Sequence, residues 1–251
     1  DTTSMIVQLA LEKKAKKSSP RDQAIIRDVM DRLSEDSVGA RRSYDQPSKG
    51  ILWGWEVSAY IWTKGISAGT YVVAVLAMLS GLVEMDDSLW AMTLGIGIVF
   101  LAITGLLLVI DLDRPERFLY VMLRPNWDSW LVKGAYILSC YGGILALSTG
   151  VIILDLDRAI LTYLAIAGVP LALLTGMYTA WLLMQAKGRS WSEDSLLPAK
   201  FLIETLAIGA AVFLPISLME PIVFLIGGVV LLGILAHDNK LVMKPQMEPL
   251  L

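Results

Sequence analysis

Six long apolar segments follow one another from residue 51 onward, and they limit the possible folds more than any other feature. A membrane-spanning helix needs about 20 predominantly apolar residues to cross the hydrocarbon core of a bilayer. Only 18% of the residues are charged, against about 25% in a typical soluble domain. Because a helix satisfies its own backbone hydrogen bonds in lipid, the sequence predicts an all-α integral membrane protein, a bundle of about six transmembrane helices. The predicted spans are about residues 55–82, 87–110, 130–153, 158–184, 200–217 and 220–236.

The distribution of charge divides the chain into three parts. Residues 1–50 are polar and mixed in charge, and we expect an extramembrane amino-terminal tail with a short amphipathic helix over about 20–34. That helix is either an ordinary surface helix or one that docks on a partner or lies on the membrane. Residues 51–237 form the predicted bundle, and residues 238–251 form the predicted extramembrane carboxyl tail.

Lysine and arginine residues concentrate on one side of the predicted bundle. If six crossings place both termini on the same side, all but two of the 21 Lys and Arg residues fall there, the exceptions being Arg158 and Lys64. We call this side the basic face. The positive-inside rule would make it cytoplasmic, but basic residues that dock a partner would mislead that rule, so the sidedness stays open. The net charge of -3 gives no reason to expect nucleic acid.

Cysteine and histidine usage restricts the cofactors. The chain has one cysteine, Cys140, and one histidine, His237. An iron–sulfur cluster needs about four thiolates, and a bis-histidine haem needs two imidazoles. We therefore expect neither haem nor an iron–sulfur cluster in this chain.

The first apolar segment contains a stripe of polar side chains. Glu56, Tyr60 and Lys64 are spaced i, i+4 and i+8, so they share one helix face. Lys64 lies about 12 Å further along the axis than Glu56 at 1.5 Å per residue. Ionisable groups at membrane depth usually face a cavity or a partner. We predict that Lys64 or Glu56 takes up and releases protons during the reaction of this protein. Alternatively, Glu56 is a solvated helix start and Lys64 is merely paired.

Aromatic side chains also gather near the basic face. Tyr178 lies within two turns of it, and a buried phenol needs a hydrogen-bond partner, which a bound ligand could supply. On spacing alone, a structural tyrosine is the better interpretation. An interfacial belt would place tryptophans on both sides of the membrane, so the excess favours a flat-ring binding pocket or a docked partner as much as a belt. The tryptophans at this face are Trp53, Trp55, Trp127, Trp130, Trp181 and Trp191.

The loop between the second and third segments carries the most specific motif. It is dense in charge and contains two prolines and several aromatic residues, which suits protein docking. It resembles the D-L-x-R-P-x-R-F…M-L-R-P-x-W-x-S-W stretch of the NrfD/polysulfide-reductase (PsrC-like) membrane-subunit family, although Asp113 stands where glycine is common. The matching residues are Asp111, Leu112, Arg114, Pro115, Glu116, Arg117, Phe118, Met122, Leu123, Arg124, Pro125, Asn126, Trp127, Ser129 and Trp130.

Further motifs of that family occur in the same order along the chain, over about residues 53–210. Residues 65–69, the pair Gly176 and Tyr178, and Trp191 followed by Leu196-Leu197-Pro198 and Phe201 resemble family segments. Family members usually have eight or more helices, whereas six are recognisable here.

The resemblance implies a quinone/quinol (menaquinone or ubiquinone) site near the basic face, and no haem. It also implies electron exchange with an iron–sulfur (ferredoxin-like) subunit attached to a molybdenum- or tungsten-type catalytic subunit. By the resemblance, Tyr178 looks like a quinone contact and Tyr60 like a polar contact on the first helix. The depth of Lys64 and the clustering of tryptophans at the basic face add Lys64, Trp55 and Trp130 to the expected quinone contacts. The expected docking residues are Asp111, Arg114, Glu116, Arg117, Arg124 and Trp127.

These observations favour a multi-pass subunit of a respiratory oxidoreductase in the cell (inner) membrane, which is not catalytic alone. One alternative is a passive membrane anchor, or a proton- or ion-coupling subunit without its own quinone site. A small-solute transporter is a third possibility, but such folds tend to show paired halves, and no second half matches the first.

Overall fold

The computed structural model describes residues 53–110, 123–186 and 190–247. The amino-terminal tail, with the helix expected over 20–34, lies outside the described residues. Within the described ranges, six helices are long and apolar enough to cross a membrane. This confirms the prediction of an all-α membrane-spanning bundle. The helices are α1 (Trp55–Leu79), α2 (Asp87–Ile110), α3 (Trp130–Ile153), α4 (Arg158–Met184), α5 (Leu197–Leu218) and α6 (Pro221–Met247).

The helix bounds follow the apolar segments closely, with one informative exception. Helices α2, α3 and α4 begin and end at or within a residue of the predicted bounds. Pro198 lies in the first turn of α5, where proline is well tolerated because its missing N–H would be unpaired anyway. Helix α6 continues to Met247, so residues 238–247 are helical, whereas the sequence predicts a carboxyl tail from residue 238.

Helix α1 is the central helix of the bundle. Within its apolar window 72% of the residues are buried, compared with 11% in α6. It meets α5 at a very close crossing, because a Cβ atom added to Gly69 would lie only 2.8 Å from the backbone nitrogen of Gly209. Small residues allow helix backbones to approach in a membrane, where packing rather than hydrophobicity drives association.

Two buried clusters fill the two halves of the bundle. In the half far from the basic face, Tyr71 and Tyr141 pack edge to face with ring centroids 5.7 Å apart, next to Trp90. In the half near the basic face, Tyr60 and Phe201 pack with side chains from α4 and α6. This second half brings the polar residues of α1 together with α4, α5 and α6.

The last turns of α6 are tied to the start of α1 at the basic face. The backbone N–H of Trp53 donates to Gln246 Oε1 at 2.9 Å, and Gln246 Nε2 donates back to the Trp53 carbonyl at 2.9 Å. The Trp191 indole donates to the carbonyl of Leu241 at 3.0 Å. These bonds explain why α6 remains helical beyond its apolar segment, and they fix the depth of the residues it carries.

Candidate functional site

Lys64 is buried in the basic-face half of the bundle. Its side chain is 1% exposed. The ammonium donates to Thr179 Oγ1 on α4. It also lies 4.6 Å from the centroid of the Tyr178 ring and 5.4 Å from that of Phe201. A desolvated ammonium over an aromatic face gains a cation–π interaction, so α4 and α5 both contribute to holding this charge.

Two carboxyl groups complete the environment of Lys64. Glu204 on α5 and Asp238 on α6 both interact electrostatically with its ammonium. Asp238 is 0% exposed and Glu204 is half-buried, and the two carboxyl groups interact with each other. No N–H or O–H group of the described residues donates a hydrogen bond to either oxygen of Asp238 or to Oε1 of Glu204. We call Lys64, Tyr178, Thr179, Glu204 and Asp238 the buried charged cluster.

The cluster occupies one level in the membrane. Lys64 lies nine residues after the first residue of α1, and Asp238 lies nine residues before the last residue of α6. Tyr178 lies six residues before the end of α4, and Glu204 lies seven after the start of α5. At 1.5 Å per residue, all four lie about 9 to 14 Å inside the basic-face ends of their helices. Four separate helices thus deliver polar groups to a common depth.

The hydroxyl group of Tyr178 is buried at this depth. Its side chain is 1% exposed, and its ring fills space that is open only because residue 134 on α3 is glycine. The hydroxyl interacts with that of Thr179 but completes no well-aligned hydrogen bond within the described ranges. A buried phenol without a full partner is suited to donate to a ligand oxygen. Cationic and hydroxyl donors therefore lie beside carboxylate acceptors at this site.

The structure brings together some of the predicted site residues and separates others. Tyr60, Lys64 and Tyr178 are buried in the same half of the bundle. Glu56 is half-buried in the first turn of α1. Trp55 is 63% exposed and therefore does not line the buried charged cluster.

Four of the tryptophans of the basic face form two ring pairs. Trp130 stacks on Trp181 with ring centroids 4.7 Å apart, and Lys133 Nζ lies 4.6 Å from the Trp130 centroid. Trp53 packs against Trp191 at 5.5 Å. The described contacts of Trp130 are therefore with this outer layer, closer to the helix ends than Lys64.

The expected docking loop is described only in part. Arg124 and Trp127 are exposed, and Trp127 packs on Tyr136 with ring centroids 4.8 Å apart. Asp111, Arg114, Glu116 and Arg117 lie outside the described residues. At the next connection on the same face, Asp194 pairs with Lys200 at 2.5 Å, and this hydrogen bond holds the pKa of Asp194 below its usual value.

Sequence reasoning missed Glu204 and Asp238. Glu204 is the one carboxyl group inside the predicted span 200–217, and an ionisable residue at that depth is itself a signal. Asp238 is hidden in the sequence because the apolar segment ends at about residue 236, which places the residue in the predicted tail. Its burial follows from the tertiary contacts that extend α6.

Comparisons with known proteins show which sequences this protein resembles. The family model described as "Polysulphide reductase, NrfD" matches residues 45–224, more than half of the sequence. The sequence is 29% identical over 189 residues to Protein NrfD of Escherichia coli, an alignment that covers 66% of this protein and 59% of that one. It is 25% identical over 194 residues to the C subunit of the polysulfide reductase of Wolinella succinogenes, covering 67% of this protein and 59% of that one. The match thus spans about three fifths of the length of each relative.

Proposed function

Because this chain belongs to the NrfD family of polysulphide-reductase proteins, we propose that it is the quinone-reactive membrane subunit of a respiratory oxidoreductase. It is a multi-pass membrane protein, and we expect it to have no catalytic activity alone. The observation that carries the proposal is the buried charged cluster, which combines hydrogen-bond donors with proton acceptors at one depth. Quinol oxidation requires that combination, because two electrons and two protons leave the molecule.

The side chains of the cluster suit the polar head of a quinol. The Lys64 ammonium has three N–H donors, of which Thr179 accepts one. The Tyr178 hydroxyl offers a further donor from α4. Together they would hold a quinone oxygen in place while the carboxyl groups of the cluster take up the protons. Glu56, half-buried at the start of α1, lies between this depth and the water at the basic face.

A lipid-soluble tail has a suitable path beside the cluster. A groove between α5 and α6 begins at Ala207, about one helical turn beyond Glu204, and runs away from the basic face. Its lining is almost entirely apolar, as an isoprenoid chain requires. The lining residues are Ala207, Ala210, Ala211, Leu214, Pro215, Val223, Ile226, Gly227 and Val230.

Electrons would leave the site through the basic face. This protein supplies few ligands for a redox metal, and within the described residues no group of three His, Cys, Asp or Glu side chains is placed to hold one. We therefore propose an iron–sulfur partner, attached in turn to a molybdenum- or tungsten-type catalytic subunit. One relative is named as one of several subunits of a polysulfide reductase, which fits membership of a multi-subunit complex.

The exposed part of the 111–130 loop suits the docking of that partner. Arg124 and Trp127 face outward at the basic face. Crosslinking of the intact complex should join this loop to the iron–sulfur subunit. A loop that remained fully accessible to solvent in that complex would contradict the docking role.

A passive anchor or a proton-coupling subunit is the second candidate. The specific observation in its favour is that Lys64 already has two carboxyl groups nearby, as a purely structural ion cluster would. In that case the polar groups at this depth would stabilise the bundle or move protons without contacting quinone.

Photoaffinity labelling of the purified complex separates the two candidates. Azido derivatives of a short-chain naphthoquinone and of a short-chain benzoquinone are the probes. We expect the label on peptides of α1 or α4 that contain Lys64 or Tyr178, and we expect excess unmodified quinone to prevent it. Labelling confined to other subunits, or labelling that excess quinone does not reduce, would contradict a quinone site in this protein.

A further inference from the structure

The pairing of Glu204 with Asp238 points to a more specific role for these two residues. We infer that their carboxyl groups hold one proton between them and are the first acceptor of the protons released by quinol. The acceptor role rests on the proposed function, whereas the shared proton does not.

The argument for the shared proton begins with charge balance. If Lys64, Glu204 and Asp238 were all ionised, the cluster would carry one uncompensated negative charge, shared between the buried Asp238 and the half-buried Glu204. An unpaired buried charge is strongly destabilising, whereas a balanced cluster is tolerated. One proton on the carboxyl pair removes the imbalance, because the Lys64 ammonium then balances the charge of the remaining carboxylate.

Hydrogen bonding leads to the same conclusion. Within the described residues, both oxygens of Asp238 and Oε1 of Glu204 lack a standard donor, although the two groups lie close together. Buried acceptors without donors are rare, because each costs about 1–3 kcal/mol. A proton between the two groups supplies a donor for one of these oxygens.

The neighbouring helices offer few competing groups. Among the described residues, the charged side chain that interacts with the pair is Lys64 on α1, and Tyr178 on α4 contacts Lys64. On α6 itself, His237 and Lys240 are exposed.

The proposed step balances protons and electrons. Quinol loses two electrons to the iron–sulfur partner and two protons to the pair, one proton at a time. The first proton neutralises the remaining carboxylate and leaves the cluster with the positive charge of Lys64. That charge favours release of the proton towards water at the basic face, after which the pair accepts the second proton. Quinone reduction reverses each transfer.

Infrared spectroscopy of the intact complex tests the shared proton without any quinone chemistry. A protonated carboxyl group has a carbonyl stretch that carboxylates lack, and the band shifts in D2O. The test variants are Glu204→Gln and Asp238→Asn, and the controls are Glu193→Gln and Asp128→Asn, whose carboxylates lie at the surface. Each test variant leaves one carboxylate opposite Lys64, so the cluster is balanced without the proton.

We expect the wild-type complex and both controls to show the band, and both test variants to lose it. A band that persists unchanged in both test variants would overturn the shared proton. Loss of the band in only one variant would also overturn it, because that pattern belongs to a single protonated acid.

Quinol turnover of the complex tests the acceptor role. With a short-chain naphthoquinol and a short-chain benzoquinol as probes, we expect the double variant Glu204→Gln/Asp238→Asn, which retains no carboxylate acceptor, to be slowed by about 100-fold, a typical contribution of a positioned proton acceptor. Turnover with an artificial electron donor should not change. Wild-type quinol rates in this double variant would overturn the acceptor role. If even the wild-type complex neither oxidises these quinols nor reduces the corresponding quinones, the proposed function fails, and the spectra still decide the shared proton.

Discussion

Replacing Lys64 with methionine should destabilise the protein in a manner that depends on pH. The substitution keeps an unbranched side chain but removes an ammonium that is 1% exposed, and it leaves Glu204 and Asp238 without their counter-charge. Removing one partner of a buried ionic group costs about 3–5 kcal/mol. The loss should be smaller at low pH, where the carboxyl pair takes up a second proton, and larger at high pH.

A thermal melt of the complex, followed by tryptophan fluorescence, measures this effect. For a chain of 150–250 residues, 1 kcal/mol corresponds to about 2–4 °C in Tm, so a loss of 3 kcal/mol predicts a decrease of about 6–12 °C. The exposed Lys240→Met on α6 is the matched control and should leave Tm unchanged.

The double variant Lys64→Met/Asp238→Asn tests whether Lys64, Glu204 and Asp238 form one electrostatic unit. It retains one carboxyl group, which a single proton neutralises, so it should be more stable than the sum of the two single losses predicts. We expect a coupling of about 1–3 kcal/mol, the usual range for residues in contact or in one network. Additive losses, or a Tm for Lys64→Met that is independent of pH, would show that the three groups do not form one electrostatic unit.

Three further predictions concern packing, α6 and cofactors. Gly69→Ala should lower the free energy of unfolding by about 1–3 kcal/mol through overpacking, because its Cβ would lie 2.8 Å from the Gly209 nitrogen. The control Gly95→Ala has open space around the new Cβ and should not change Tm in the same thermal melt. Trp191→Phe removes the bond to the Leu241 carbonyl and should cost about 1 kcal/mol; faster proteolysis of the α6 carboxyl end, compared with wild type, is the measurement. The absorption spectrum of the isolated subunit should show no haem Soret band, and a Soret band would contradict the ligand count.

The sequence predicts most of the bundle because each helix is encoded locally. Apolar segments of the right length set the bounds of α2, α3 and α4, and Lys64 is visible as an isolated charge inside another such segment. Local information fails where tertiary contacts decide. Hydrogen bonds from Trp53 and Trp191 stabilise the last turns of α6, whose composition is polar, and so bury Asp238.

The residues of the site likewise divide into those that local sequence predicts and those that only tertiary packing brings together. Tyr60 and Lys64 share one helix face, and their burial together follows from a spacing that any helix imposes. The meeting of Lys64 with Glu204 and Asp238 depends on how α1, α5 and α6 pack, which no single segment encodes. The grouping of Trp55 with the quinone contacts, which rests on its position near the basic face, stays a prediction. In the structure, Trp55 is 63% exposed.

Quinol kinetics of the assembled complex with Tyr178→Phe test most directly whether the buried charged cluster serves quinone chemistry. The substitution removes one buried hydroxyl and leaves the ring against Gly134, and Tyr163→Phe, on the same helix but 74% exposed, is the control. Loss of a buried donor is worth roughly 1–3 kcal/mol, which corresponds to an affinity for quinol that is about 5- to 150-fold weaker. We predict that quinol-linked turnover falls in Tyr178→Phe and in Lys64→Met, while turnover with an artificial donor that bypasses the membrane subunit stays at the wild-type rate. Wild-type quinol kinetics in both variants would contradict the account and would remove this cluster from the quinone reaction.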